Sequence, residues 1–235
     1  MISPFPDNVA FVAREAAPGD AEPPPPEEAA LLADAGSPTR RRQFALGRAC
    51  AREALRQLGG PGAAAIGRAQ GRIPRWPTGF VGSISHSRQR AAAAAAHARD
   101  YLGLGVDLER ARAPSPALLR RILRPAERAA LAALSGDPLA AAFTALFAAK
   151  EALYKAVNPI TGVYLGFQDA EVEFPPGTDW LGSGAPGSGG PLAWRLLKDS
   201  GPRFPGGLPG SGAWRRDGAW IVAGVWIGAA TDCTD

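Results

Sequence analysis

The stretch from Phe80 to Glu109 constrains this chain more than any other. Phe80-Val81-Gly82-Ser83-Ile84-Ser85-His86-Ser87 reads as a strand, and so does Gly103-Leu104-Gly105-Val106-Asp107-Leu108-Glu109. The alanine run from Ala91 to Ala98 lies between them. Intrinsic propensity makes such a run helical. The connections on either side are short, however, and a middle hairpin strand accounts for that spacing better. The expectation is therefore three consecutive strands.

In the last of these strands the side chains alternate between faces, so Asp107 and Glu109 point one way while Val106 and Leu108 point into a core. Two carboxylates held side by side on rigid backbone repel each other. The arrangement becomes favourable when something positive lies between them, most simply a hard divalent cation that prefers oxygen ligands. The competing reading is a solvated strand edge, because short acidic motifs recur by chance.

At 235 residues the chain can bury a sizeable core as one large domain or two small ones. A formal charge of +4 and a pI near 9.5 point mildly to a polyanionic partner or substrate, without choosing among nucleic acid, phosphate ligand and acidic protein. Cys50 and Cys233 are too few and too far apart to suggest a disulfide framework or a zinc site, and are expected to be reduced, buried or incidental. The N-terminus carries no basic segment followed by an apolar one, and no stretch approaches the roughly twenty apolar residues that span a bilayer. A cytoplasmic protein without a membrane partner is the expectation.

Along the chain, Val9 to Arg14 reads as a first strand, the Pro23 to Pro26 run breaks regular structure, and a helix starts near Glu27. From Thr39 to Leu58 the pattern is helical, with Phe44, Ala51, Leu55 and Leu58 on one face and Arg41, Arg48, Arg52 and Arg56 as a ridge beside it. Gly59-Gly60 ends this helix. Such a ridge either holds phosphates in bidentate fashion or is simply solvated. Gly71-Arg72-Ile73-Pro74-Arg75-Trp76-Pro77 reads as a rigid extended loop, whose cations and indole clamp a planar base or whose Trp76 plugs a core edge. Ser85 and Ser87 flank His86 and can donate to a phosphate, and no partner completes a Ser-His-Asp hydrolase.

Beyond Glu109, helices are expected over Pro116 to Leu123 and Pro125 to Leu134. Asp137-Pro138 should open a long helix running to about Val157. It carries Phe147-Ala148-Ala149-Lys150-Glu151-Ala152-Leu153-Tyr154-Lys155, where Glu151 and Lys155 share a face. Three strands follow at Ala170 to Phe174, Leu192 to Leu197 and Ala219 to Ile227, separated by Gly/Pro-rich loops at Pro175 to Pro191 and Ser200 to Gly212.

Taken together, the Gly105 to Glu109 strand and the Phe147 to Lys155 helix segment resemble the paired signatures of the 4'-phosphopantetheinyl transferase superfamily. The Gly47-Arg48 to Leu55 helix, the Gly71 to Pro77 loop and Ser83-Ile84-Ser85-His86-Ser87 occur in the order of its longer, monomeric members, those similar to the enterobactin synthetase component D and surfactin-type enzymes. The resemblance implies an α/β (α+β) monomer of two similar subdomains related by a pseudo-twofold axis. These would be residues 1–103, holding the nucleotide end, and 104–235, holding the metal site and catalytic helix. They would join near Leu102 to Gly105, with coenzyme A in the cleft between them.

Members of this kind move the phosphopantetheine arm of coenzyme A onto a serine of an apo acyl or peptidyl carrier protein and release adenosine 3',5'-bisphosphate. Carried over by motif position, Asp107, Glu109 and Glu151 would hold magnesium or manganese, with Glu151 also a candidate base. Lys155 would neutralise pyrophosphate charge, with Lys150 assisting. Arg48, Arg52, Arg75, Ser85 and His86 would hold the nucleotide end. The residue types suit the chemistry, because attack on a pyrophosphate needs spread negative charge stabilised and the nucleophile aligned. Ala148 departs from the family pattern, standing where a serine is common, and the C-terminal Gly/Pro-rich loops match no motif, which bears on carrier recognition. Two rivals remain: a metal-dependent nuclease, which predicts a lysine close to an acidic ligand on its strand where this chain has Arg110, and a non-catalytic carrier-binding module.

Overall fold

The alanine run is a strand, and its surroundings explain why. In the computed structural model, which describes residues 1–16, 24–33, 36–61, 65–69, 71, 73–87, 89–181 and 188–229, Ala91 to Ala96 are completely buried. Arg72 and Cys233 fall outside the described residues. The chain runs β1 (Ala10–Glu15), α1 (Pro26–Ala33), α2 (Pro38–Gln57), β2 (Gly67–Arg68), β3 (Pro74–Arg75), β4 (Phe80–Ser87), β5 (Arg90–His97) and β6 (Tyr101–Arg110). It continues through α3 (Pro116–Ile122), α4 (Pro125–Ala130), α5 (Gly136–Thr161), β7 (Ala170–Glu173), β8 (Gly189–Leu196), β9 (Pro209–Asp217) and β10 (Trp220–Gly228). The architecture is mixed α+β.

β5 is the centre of a three-stranded antiparallel sheet ordered β1-β5-β4. Its odd alanines, Ala91, Ala93 and Ala95, pack with Cys50, Ala51, Ala54 and Leu55 of α2, and its even ones, Ala92, Ala94 and Ala96, pack against Leu104, Val106 and Leu108 of β6. A strand covered on both faces leaves room only for methyl groups, so tertiary packing overrides the helical propensity of alanine.

β6 is one edge of an antiparallel five-stranded sheet ordered β6-β10-β9-β8-β7. α5 covers the face of this sheet turned away from the other sheet, burying Leu146, Leu153 and Val157 with Trp214, Ile221 and Val225. At Gly103 and Gly105 this contact is backbone against backbone. A Cβ on Gly105 would lie 1.8 Å from the Ala152 carbonyl oxygen, and one on Gly103 would lie 2.6 Å from that of Ala156. The glycines let the helix sit directly on β6, and Asp107 is the next residue on the same face.

Several element boundaries differ from the sequence expectation. α4 stops at Ala130. α5 is preceded by Ser135 as N-cap instead of Asp137, and continues through Pro159 to Thr161, where Gly162 at φ 67° ends it. A proline in the last turn forfeits only its own amide bond there, and Gly162 N–H closes the helix on Asn158 O at 2.8 Å. β8 begins at Gly189, inside the expected Pro175 to Pro191 loop, and β9 begins inside the expected Ser200 to Gly212 loop, giving four C-terminal strands instead of three. The glycines of β9 mark close packing: a Cβ on Gly210 would lie 2.0 Å from the Trp194 ring, and one on Gly212 would lie 2.5 Å from Gly224 O. Pro74 and Arg75, expected in an extended loop, pair with Arg68 and Gly67 in a two-stranded ribbon.

Candidate active site

The site forms where the two sheets meet edge to edge. β4 and β6 run side by side in the same direction without a backbone ladder. The serines of β4 bridge the gap at every second residue. Ser83 Oγ accepts from Val106 N–H at 3.0 Å, and Ser85 Oγ accepts from Leu108 N–H at 3.2 Å. Ser85 Oγ also donates to Asp107 Oδ1 at 2.8 Å, and Ser87 Oγ donates to Glu109 Oε2 at 3.3 Å. The open edge of β6 is thus satisfied by side chains instead of by a neighbouring strand.

From the other side, α5 delivers Lys155. Its ammonium donates to Asp107 Oδ1 at 2.7 Å and to Val106 O at 3.1 Å. Asp107 is buried, and its second oxygen, Oδ2, has no hydrogen-bond partner among the described residues. Burial, followed by the charge of Asp107, pushes the Glu109 carboxyl up to about 7, against the opposing pull of Arg112, Ser87 and Lys155. The same two causes raise Glu151, with Lys155 opposing. The charge of Asp107 on β6 is therefore felt both by Glu109 on the same strand and by Glu151 on α5. Among the described residues no three His, Cys, Asp or Glu side chains are gathered into a ready-made metal cage. The donor set nonetheless fits a hard divalent cation: all oxygen, raised carboxyls wanting positive charge, and a buried anionic oxygen with nothing to accept from.

The arginine ridge of α2 divides. Arg41 and Arg56 are exposed, whereas Arg48 and Arg52 are buried. Arg48 lies 4.8 Å from the centroid of the Phe44 ring, and its buried Nη1 has no hydrogen-bond partner among the described residues. Burial lowers it to about 10, with Arg68 and Arg52 adding to the effect and Glu28 opposing it. An unpaired buried guanidinium N–H is suited to an anion. His86 stands at the end of β4, where partial burial of its ring lowers its affinity for a proton, with Lys155 and, less, Arg40 adding to the effect and Asp107 opposing it. Sequence reasoning passed over Arg40 because it lies outside the ridge.

Three candidates stand elsewhere than expected. Arg52 is committed to the fully buried Glu28, whose other oxygen takes the Ile66 N–H at 2.8 Å, so it ties α1 to α2. Lys150 donates to Glu127 Oε2 at 2.9 Å, Phe167 O at 2.7 Å and Ala170 O at 2.9 Å, which uses all three ammonium protons. Ser85 spends its one proton on Asp107. Arg75 is exposed on the β2–β3 ribbon, and Trp76 packs with the core beneath α2, its ring filling the space over Gly82. Of the two readings of Trp76, the core plug is the one realised. Beside Glu151 a pocket of about 230 Å³, bordered by Tyr154, Tyr164 and Phe167, was not legible from spacing.

Comparison with known proteins finds two regions of the chain that match one family. Residues 27–96 match the 4'-phosphopantetheinyl transferase N-terminal domain, and residues 103–197 match the 4'-phosphopantetheinyl transferase superfamily. The chain is 38% identical over 150 residues to 4'-phosphopantetheinyl transferase PptT of Mycobacterium tuberculosis, covering 61% of this chain and 63% of that protein. It is 37% identical over 140 residues to 4'-phosphopantetheinyl transferase Npt of Nocardia iowensis, covering 57% and 60%. It is 40% identical over 141 residues to 4'-phosphopantetheinyl transferase Svp of Streptomyces mobaraensis, covering 59% and 56%. The matched stretch thus spans less than two thirds of each relative. With both characteristic regions present in order, and the acidic strand and the Lys-Glu helix of the second brought together at Asp107, the chain belongs to the 4'-phosphopantetheinyl transferase superfamily.

Proposed function

We propose that this protein transfers the 4'-phosphopantetheine arm of coenzyme A to a serine hydroxyl of an apo acyl or peptidyl carrier protein, releasing adenosine 3',5'-bisphosphate. The observation that carries the reading is Asp107: one oxygen is held by Lys155 and Ser85, the other is buried without a hydrogen-bond partner among the described residues, and its charge raises the proton affinity of both Glu109 and Glu151. Asp107, Glu109 and Glu151 would hold magnesium or manganese, and the bound ion would neutralise and align the pyrophosphate oxygens.

The chain's own groups do the rest. Lys155 supplies a fixed positive charge at the place where negative charge develops. Glu151, its affinity for a proton raised by burial and by Asp107, accepts the proton of the attacking serine hydroxyl directly or through a water. Arg48, with its unpartnered N–H, binds phosphate at the nucleotide end together with His86 and Arg75. Arg52 and Lys150 act from behind, fixing α2 and α5.

Coenzyme A lies between two halves, residues 1–103 and 104–235. In support, each half is an antiparallel sheet covered by one long helix, α2 in the first and α5 in the second. A pseudo-twofold relation between the halves and action as a monomer follow from that reading. Among the described residues no helix is long and apolar enough to cross a membrane, and the free, buried Cys50 thiol suits a reducing cytoplasm.

The test is the intact mass of an apo carrier protein after incubation with this protein, coenzyme A and magnesium. A gain of one phosphopantetheine arm that chelator prevents supports the proposal. No gain across acyl and peptidyl carriers overturns it.

A further inference from the structure

We infer that Ser85 is a positioning residue, not a phosphate ligand: its hydroxyl holds Asp107 so that one oxygen alone, Oδ2, is presented to the divalent cation. The inference rests on the transferase reading above and concerns a side chain of β4, on the opposite half of the molecule from the proposed ligands.

The hydrogen-bond accounting carries it. A serine hydroxyl has one proton to give. That of Ser85 goes to Asp107 Oδ1 at 2.8 Å, while the same oxygen accepts the Leu108 N–H at 3.2 Å. Ser85 is itself buried, so no further donor remains for a nucleotide phosphate. Lys155 completes the coordination of Oδ1 at 2.7 Å and is itself anchored on Val106 O. Among the described residues Oδ1 thus has two donors and Oδ2 has none, although both belong to one buried carboxylate. Ser85 and Lys155 together hold Oδ1, and the bare oxygen is the one left for a cation.

The neighbouring serines define the role by contrast. Ser83 sits two residues earlier on the same face and makes the same kind of bond to β6, to Val106 N–H, but touches no carboxylate. Ser87 reaches Glu109 at 3.3 Å, a longer and weaker bond than that of Ser85. Ser85 is the serine whose hydroxyl joins the strand edge and the ligand in one bond pair. It therefore links the nucleotide-end half to the position of the metal ligand.

The test compares Ser85→Ala, Ser85→Thr and Ser83→Ala in the full chain. It measures Mn2+ binding in the presence of coenzyme A by electron paramagnetic resonance, metal-free coenzyme A binding by calorimetry, and thermal melting. Partners that orient a metal ligand are typically worth 10- to 100-fold in metal affinity. Ser85→Ala is expected to weaken Mn2+ by about 10-fold with metal-free coenzyme A affinity unchanged, and Ser85→Thr to recover most of the loss. Ser83→Ala should lower the melting temperature and leave Mn2+ affinity alone. If Ser85→Ala does not fold, Ser85→Cys, a poor donor of nearly the same size, takes its place with the same expectation. Wild-type Mn2+ affinity in Ser85→Ala, or in Ser85→Cys where that replaces it, overturns the inference, as does a loss confined to metal-free coenzyme A binding, which makes Ser85 a phosphate ligand after all. A wild-type protein that binds coenzyme A but no Mn2+ overturns the metal-dependent reading itself, a result distinct from either.

Discussion

Lys155 bonds Asp107 on a neighbouring strand, Nζ to Oδ1 at 2.7 Å, and not Glu151 one turn back on its own helix. A helical pair four residues apart is worth only about 0.2–0.5 kcal/mol, so the cross-element bond to a buried carboxylate easily outcompetes it. This one contact fastens α5 to β6 where the two acidic motifs meet. Replacing Lys155 with alanine is expected to lower kcat by about 100-fold, as for loss of a preorganised charge, while coenzyme A affinity changes little. Steady-state kinetics beside calorimetry checks this, and a loss confined to binding would contradict it.

Gly105→Ala tests the close approach that makes the contact possible. The new Cβ would meet the Ala152 carbonyl at 1.8 Å, and a backbone atom cannot swing aside, so α5 must lift from β6. The expectation is a loss of about 1–3 kcal/mol in a denaturant titration, with transfer activity falling further than stability because Glu151 and Lys155 move with the helix. Gly103→Ala, at 2.6 Å from the Ala156 carbonyl, should be milder.

Arg48 and Arg52 should separate binding from folding. Arg48→Ala is expected to weaken coenzyme A by about 10-fold, a little over 1 kcal/mol, and its 3'-dephosphorylated analogue less. Equal losses would show that Arg48 does not read the extra phosphate. Arg52→Ala leaves the completely buried Glu28 without its cation, so it should cost about 3–5 kcal/mol of stability. Lys150→Met should resemble Arg52→Ala, since it strands Glu127.

Cys50 supplies a pH prediction. Burial pushes its thiol up to about 11, so folding favours the protonated form. The sign follows: the contribution is complete below the unfolded value near 9 and is lost as pH rises toward 11. Melting temperature should fall more steeply over that range than in Cys50→Ala, and native Cys50 should resist iodoacetamide at neutral pH. Rapid alkylation of the folded protein would contradict this.

Period-two patterning made β4 and β6 legible, and with them the shared face of Asp107 and Glu109, because alternation in a strand is set by backbone geometry alone. β9 was hidden, since glycine and proline ordinarily mark loops, while Gly210 and Gly212 serve here to admit Trp194 and the backbone of Gly224. The partners of Arg52 and Lys150 were hidden for a different reason. Spacing put both cations on plausible faces, but their partners, Glu28 and Glu127, lie 24 and 23 residues away by their numbers and become partners only through packing. The serine ladder was visible as three serines in alternation, but their acceptors on β6 were not.

The most direct test of the central claim places Asp107→Ala beside the wild-type protein in the carrier-mass assay, with circular dichroism on both. The account predicts that the wild type adds one phosphopantetheine arm in magnesium and none in chelator, and that the variant adds none while remaining folded. Unchanged transfer by a folded Asp107→Ala protein would contradict it, removing Asp107 from the metal site and this seam of β4, β6 and α5 from the chemistry.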